Sequence, residues 1–106
     1  MNYQLTGQLA FVSAGAHGIG QATADLLAAE GASVIVADQD AVALAERGSM
    51  WRGVVAADLS TAAGVAHAVA YVLDTFGRAP DILINNLGVG DAGVFAEMPD
   101  ERWDRA

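Results

Sequence analysis

Short apolar runs alternate with stretches of helical periodicity, and this predicts an α/β domain built on a doubly wound parallel sheet. Three observations carry the prediction. Four runs, Leu9–Ser13, Ser33–Ala37, Gly53–Ala57 and Asp81–Asn85, are rich in Val, Ile, Leu and Ala without polar alternation, as strands buried on both faces are. The segments between them repeat apolar residues at three- and four-residue spacing. A glycine-rich turn, Asp38, Asp58 and Asn85 each sit at the C-terminal end of one run. In a parallel sheet those ends share one edge, and right-handed crossovers give the strand order 3-2-1-4. The strand order reverses between the first and fourth strands, and ligands bind at that crevice.

Leu9–Ser13 is the first strand, followed by Gly15, Gly18 and Gly20. The next helix carries Ile19, Thr23, Leu26, Leu27 and Glu30 at helical spacing, with Gly31 as its stop. The second strand ends at Asp38, and a short helix over Ala41–Arg47 closes at Gly48. The third strand ends at Asp58. Ser60 is the expected N-cap of a helix striped by Val65, Val69, Val72 and Phe76, and ended by Gly77 and Pro80. After the fourth strand come Gly88, Gly90 and Gly93, then a helix opened by Pro99 and Asp100 through Trp103. Trp51 and Trp103 read as packing residues, and His67 as surface or packing.

The chain of 106 residues is 54 % hydrophobic and carries 13 acidic residues against 5 basic ones, for a net charge of −8. All the basic residues are Arg. Nucleic-acid binding needs a basic face, so no nucleic acid is expected. No run approaches the roughly 20 apolar residues of a membrane span, so no membrane partner is expected. There is no Cys, hence no disulfide framework or thiolate metal site, which is compatible with the cytoplasm. Neither His has metal-ligand spacing, and no metal is assigned.

Gly15-Ala-His-Gly-Ile-Gly20 joins a strand to a helix, the setting of a Rossmann-like dinucleotide site. Small residues let the backbone approach a pyrophosphate, and the helix start offers free N–H groups and the positive end of its dipole. The bland alternative is a tight turn that needs glycine for positive φ. His17, inside the turn, either reaches a phosphate or ribose or is an exposed loop residue. Asp38 lies 18 residues beyond Gly20, where a carboxylate can take both hydroxyls of an adenine ribose. It also repels a 2′-phosphate, and Gln39 supplies no Arg to reverse this. NAD is therefore expected over NADP.

The segment Ser13-Ala-Gly-Ala-His-Gly-Ile-Gly20 resembles the T-G-x-x-x-G-x-G turn of the short-chain dehydrogenases/reductases, with Ser13 in the place of Thr and Ala14 in the place of the first Gly. Gly18, Ile19 and Gly20 match. Asp58-Leu59 resembles that family's Asp after the third strand, whose side chain meets the adenine; an ordinary turn acid is the alternative. Asn85-Asn86-Leu87-Gly88 is similar to its N-N-A-G, which steadies the sheet and lines the ribose–nicotinamide side. The resemblance implies cofactor contacts at Ser13, Gly15, His17, Gly18, Ile19, Gly20, Asp38, Asp58, Leu59, Asn85, Asn86 and Gly88. It also implies a homo-oligomer that moves a hydride between NAD and a small-molecule alcohol or carbonyl substrate.

The resemblance runs from about Leu5 to Ala106 and spans the first half of that family's domain. The family's Tyr-x-x-x-Lys does not occur, since Tyr71 is followed by Val-Leu-Asp-Thr75 and the chain has no Lys. Residues 1–106 are thus expected to be the N-terminal dinucleotide-binding part of an incomplete domain, with no catalytic residue assigned. A catalytically inactive nucleotide-binding or interaction module ending at residue 106 is the alternative. A methyltransferase of similar build fits the Gly-Ile-Gly20 ending and the Asn pair less well.

Overall fold

The computed structural model describes residues 5–14 and 16–85. Gly15, Asn86, Gly88, Gly90, Gly93 and the helix expected from Pro99 lie outside the described residues. The elements are β1 (Leu9–Ser13), α1 (Gly18–Ala29), β2 (Ser33–Asp38), α2 (Ala41–Arg47), a 3-10 turn (Gly48–Met50), β3 (Gly53–Ala56), α3 (Ala62–Phe76) and β4 (Ile82–Ile84). The four strands are parallel, in the order β3-β2-β1-β4, as the crossover rule requires.

Period-two alternation sorts the strand side chains onto two faces. Leu9 and Phe11 of β1, Ile35 and Ala37 of β2 and Val55 of β3 point to one face, covered by Val65, Ala68, Val69, Val72 and Leu73 of α3. Ala10, Val12, Val34 and Val36 point to the other, covered by Ala24 of α1, Ala43 and Leu44 of α2, and Trp51. All five residues of β1 are buried, as a central strand with helices on both sides demands. Trp51 packs in this second layer, and its indole N–H donates to Asp25 Oδ1 at 3.1 Å, which satisfies a buried donor.

The cap of α3 and the packing face of α1 differ from the sequence expectation for local reasons, whereas the stop of α3 at Gly77 is as expected. Thr61, not Ser60, caps α3: its hydroxyl accepts from Gly64 N–H at 2.9 Å, while Ser60 Oγ donates to Asp58 at 2.6 Å. Only the residue at the cap position can reach back to the third helical amide, and Ser60 lies one residue too early. In α1 the buried residues are Gly20 and Ala24, whereas Ile19 and Leu26 are 80 % and 60 % exposed. The helix meets the sheet most closely through its smallest side chains, with Leu27 packing partly buried beside them, while Ile19 and Leu26 face outward. At the end of α3, Gly77 adopts φ +74° and its N–H returns to Leu73 O at 2.9 Å, the left-handed stop that glycine favours.

The edge of the sheet remote from the crevice is closed by Asp81. Its Oδ2 accepts from Leu9 N–H at 2.8 Å and from Arg78 Nη1 at 2.7 Å, and Arg78 Nη2 also donates to Gly7 O at 3.0 Å. The Arg78 guanidinium first, and the Leu9 amide second, hold the Asp81 carboxyl below the usual carboxylate range. A depressed folded-state value stabilises the fold above the unfolded-state pKa, and the contribution is lost as pH falls through the folded value. Acid from about pH 4 downward should therefore lower the urea midpoint, and Asp81→Asn should remove part of that fall. An identical acid profile in the variant would refute the role.

Candidate functional site

The site is built where β1 gives way to α1. Ser13, at the end of β1, donates its hydroxyl to Ile84 O at 3.2 Å and to Asn85 Oδ1 at 3.4 Å, so the ends of β1 and β4 are joined across the sheet. Ala14 follows at φ +53°, in the left-handed region that glycine favours. Gly18 opens α1 at φ +56°, and a Cβ built there meets nothing within 4 Å. Gly20 is buried against the sheet.

The start of α1 differs from that of the other two helices. Asp40 caps α2 by accepting from Ala43 N–H at 3.0 Å, and Thr61 caps α3. His17 occupies the same position on α1 in an extended conformation, and its side chain makes no cap bond. The first-turn amides of α1 are thus not held by a side chain, and no acidic residue lies in that turn. An uncapped helix start of this kind suits an anion.

Asp38, at the end of β2, faces the turn. Its Oδ2 accepts from Ala16 N–H at 3.1 Å and its Oδ1 from Asp40 N–H at 2.9 Å. A cleft of about 40 Å³ opens beside it, lined by Ala14, Ala37, Asp38, Gln39, Ala57 and Leu59. Leu59 is buried in the cleft wall. Asp58, by contrast, is not among the lining residues. Its Oδ1 accepts from Ser60 N–H at 3.0 Å and from Ser60 Oγ, and the Ser60 hydroxyl and amide keep its carboxyl below the ordinary range.

His17 is exposed, and its Nε2 lies 2.8 Å from Asp40 Oδ2. The Ala43 amide first, and the His17 contact second, depress the Asp40 carboxyl. His67 is exposed on α3. The structure therefore brings together Ser13, His17, Gly18, Ile19, Gly20, Asp38 and Leu59 around the start of α1. Asn85 stands at the end of β4 against Ser13, and Asp58 turns to its own loop. Gly15, Asn86 and Gly88 are outside the described residues.

Asp40, Ala16 and Arg47 belong to this cluster and do not stand out in the sequence. Their partners lie 22 to 31 residues away, and no motif spacing marks them. The arrangement fits the adenosine end of a dinucleotide. Each oxygen of Asp38 holds one backbone amide, and a carboxylate offers about four acceptor positions, so two ribose hydroxyls can be added without breaking either bond. The apolar walls of Ala37, Ala57 and Leu59 suit a flat ring. Among the described residues, no group of three or more His, Asp or Glu side chains could hold a metal ion, and no helix is long and apolar enough to cross a membrane.

Comparison with known proteins agrees with this geometry. The short chain dehydrogenase family model matches residues 8–106. D-beta-hydroxybutyrate dehydrogenase of Cupriavidus necator is 39 % identical over 106 residues, covering 94 % of this chain and 41 % of its own length. The structure of L-sorbose reductase from Gluconobacter frateurii, complexed with NADPH and L-sorbose, superposes with a TM-score of 0.76 at 33 % identity. It covers 98 % of this chain and 42 % of that one. The 3-ketoacyl-(acyl-carrier-protein) reductase of Brucella melitensis, complexed with NADH, superposes at 0.73 with 36 % identity, covering 81 % of this chain and 36 % of that one. The chain thus spans about two fifths of the length of these relatives. From fold, crevice and relatives together, this chain belongs to the short-chain dehydrogenase family.

Proposed function

We propose that the chain is the cofactor-binding part of an oxidoreductase that takes NAD in preference to NADP. The observation that carries this reading is the Asp38 carboxylate, which lines the cleft beside the turn with no Arg among the lining residues. Relatives bind either form of the cofactor, NADPH in one solved structure and NADH in another, so the family alone does not select one. A carboxylate at the ribose accepts two hydroxyls and repels a phosphate. Gly18, Ile19 and Gly20 at the α1 start would hold the pyrophosphate, Leu59 the ring, and Asn85 with Asn86 and Gly88 the nicotinamide side. NAD itself supplies the hydride chemistry; the described residues place and orient it. The substrate is a small alcohol or carbonyl compound. The same reading makes the protein a cytoplasmic homo-oligomer, in line with the absence of Cys and with the family resemblance.

Asp38→Ala tests it. The readout is the ratio of NAD to NADP affinity, because loss of the Ala16 and Asp40 amide bonds weakens both cofactors alike. The ratio should fall by about tenfold or more, the worth of hydrogen bonds to a charged group plus the relieved repulsion. An unchanged ratio in paired titrations would remove Asp38 from cofactor selection.

A further inference from the structure

Arg47 reaches the turn between β1 and α1 from the end of α2. It ends α2, is half-buried, and its Nη1 donates to Ala16 O at 2.6 Å and to the side-chain oxygen of Gln21 on α1. Ala16 is fully buried, and its N–H is already taken by Asp38 Oδ2 at 3.1 Å. Both polar groups of this one residue are thus held by charged side chains of a single strand–helix unit, an anion on the N–H and a cation on the C=O. Charge-assisted bonds of this kind are roughly twice as strong as neutral ones. Two residues earlier, Ala14 sits at φ +53°, where a Cβ is unfavourable. A strained backbone persists only where its surroundings over-determine it, and the hold on Ala16 supplies that constraint.

We propose that Arg47 is a positioning residue for dinucleotide binding: it fixes the turn between β1 and α1 in the left-handed geometry that Ala14 resists. The proposal rests on reading that turn as the phosphate cradle. Arg47 does not itself touch the cofactor in this arrangement, since its acceptors are Ala16 O and Gln21. The planar fork of Arg spans acceptors on the turn and on the helix at once, and a Lys ammonium on its flexible stem lacks that fixed geometry.

The test uses the full protein with Arg47→Ala, Arg47→Lys, Ala14→Gly and the double variant Arg47→Ala/Ala14→Gly. The probes are NAD, ADP and adenosine, titrated by calorimetry or NMR. Arg47→Ala should raise the Kd of NAD and ADP about tenfold, the loss of one charge-assisted bond, and leave adenosine binding unchanged. Arg47→Lys should fall between. Ala14→Gly in the parent gives that exchange's own effect on each probe, and against this reference it should recover most of the loss in the Arg47→Ala background, because glycine needs no outside constraint at this φ. Hydrogen exchange at the Ala16 amide, measured without ligand, should quicken in Arg47→Ala and slow again in the double variant. Equal loss for all three probes, or strictly additive effects of the two substitutions, would overturn the proposal. If Arg47→Ala does not fold, Arg47→Lys with and without Ala14→Gly gives the same reading. If the parent binds no NAD, the functional reading fails, and the exchange measurement alone decides: an Ala16 amide no faster in the Arg47 variants overturns the role.

Discussion

Gly18→Val should abolish measurable NAD binding while leaving the sheet in place. Gly18 opens α1 at φ +56°, and an added Cβ would find empty space, so the cost is one of backbone conformation alone. A β-branched residue is a genuine outlier there, and the chain would relax toward negative φ and re-aim the first amides of α1. Left-handed geometry costs an ordinary residue about 1–2 kcal/mol and a β-branched one more. Together with lost alignment at the phosphates, the Kd for NAD should rise at least about a hundredfold. Gly18→Ala should give an intermediate loss. Far-UV circular dichroism should stay near that of the parent, because α1 meets the sheet through Gly20 and Ala24. Undiminished affinity in Gly18→Val would end the argument that this backbone approaches a phosphate.

The largest effect on stability should come from Gly64→Ala, on the other side of the sheet. In an exposed helix interior this exchange stabilises by about 1 kcal/mol. Here a Cβ on Gly64 would land on the carbonyl oxygen of Asp58, a backbone atom that cannot swing away. The same Cβ would press at 3.0 Å on Thr61 Oγ1, the atom that caps the helix. The start of α3 has to lift away from the Asp58–Thr61 turn, which loosens the cap and the buried Leu59 and Val65 beside it. Overpacking of this kind typically costs 1–3 kcal/mol, and a clash with backbone puts the expectation at about 3 kcal/mol in the urea-derived stability. A variant as stable as the parent would show that the turn yields freely.

The two predictions differ in how far the sequence foretold them. Gly18 sits in a recognisable turn between a strand and a helix, so its place at the start of α1 was legible from spacing alone. Gly64 looks like an unremarkable residue in an apolar helix, and its constraint exists only because a loop carbonyl folds onto it. The same divide runs through the fold. Four continuous apolar runs and the crossover rule sufficed for the strand order, because burial on both faces leaves a strong and simple signal. The packing face of α1 was only partly legible: within the periodic stripe Leu27 packs against the core, but Ile19 and Leu26 are exposed, and the fully buried contact is made by Gly20 and Ala24. Small residues carry little hydrophobic weight, yet they allow the closest approach to the sheet. In the site, Asp38 could be found from its distance to the glycine turn. Arg47 and Asp40 could not, because their links to Ala16 and His17 arise from tertiary folding across 31 and 23 residues.

The central place of β1 has a consequence for the timing of synthesis. Ala10 pairs with Val34 on one side and with Ile82 on the other. The 72 residues from Ala10 to Ile82 (82 − 10) must leave the ribosome before the second partner exists. At about 5–20 residues per second this leaves one flank of Leu9–Val12 open for roughly 4–14 s in every newly made chain. A nascent chain stalled before Asp81 should therefore engage hydrophobic-binding chaperones through its N-terminal segment, and one extended past Asn85 should release them.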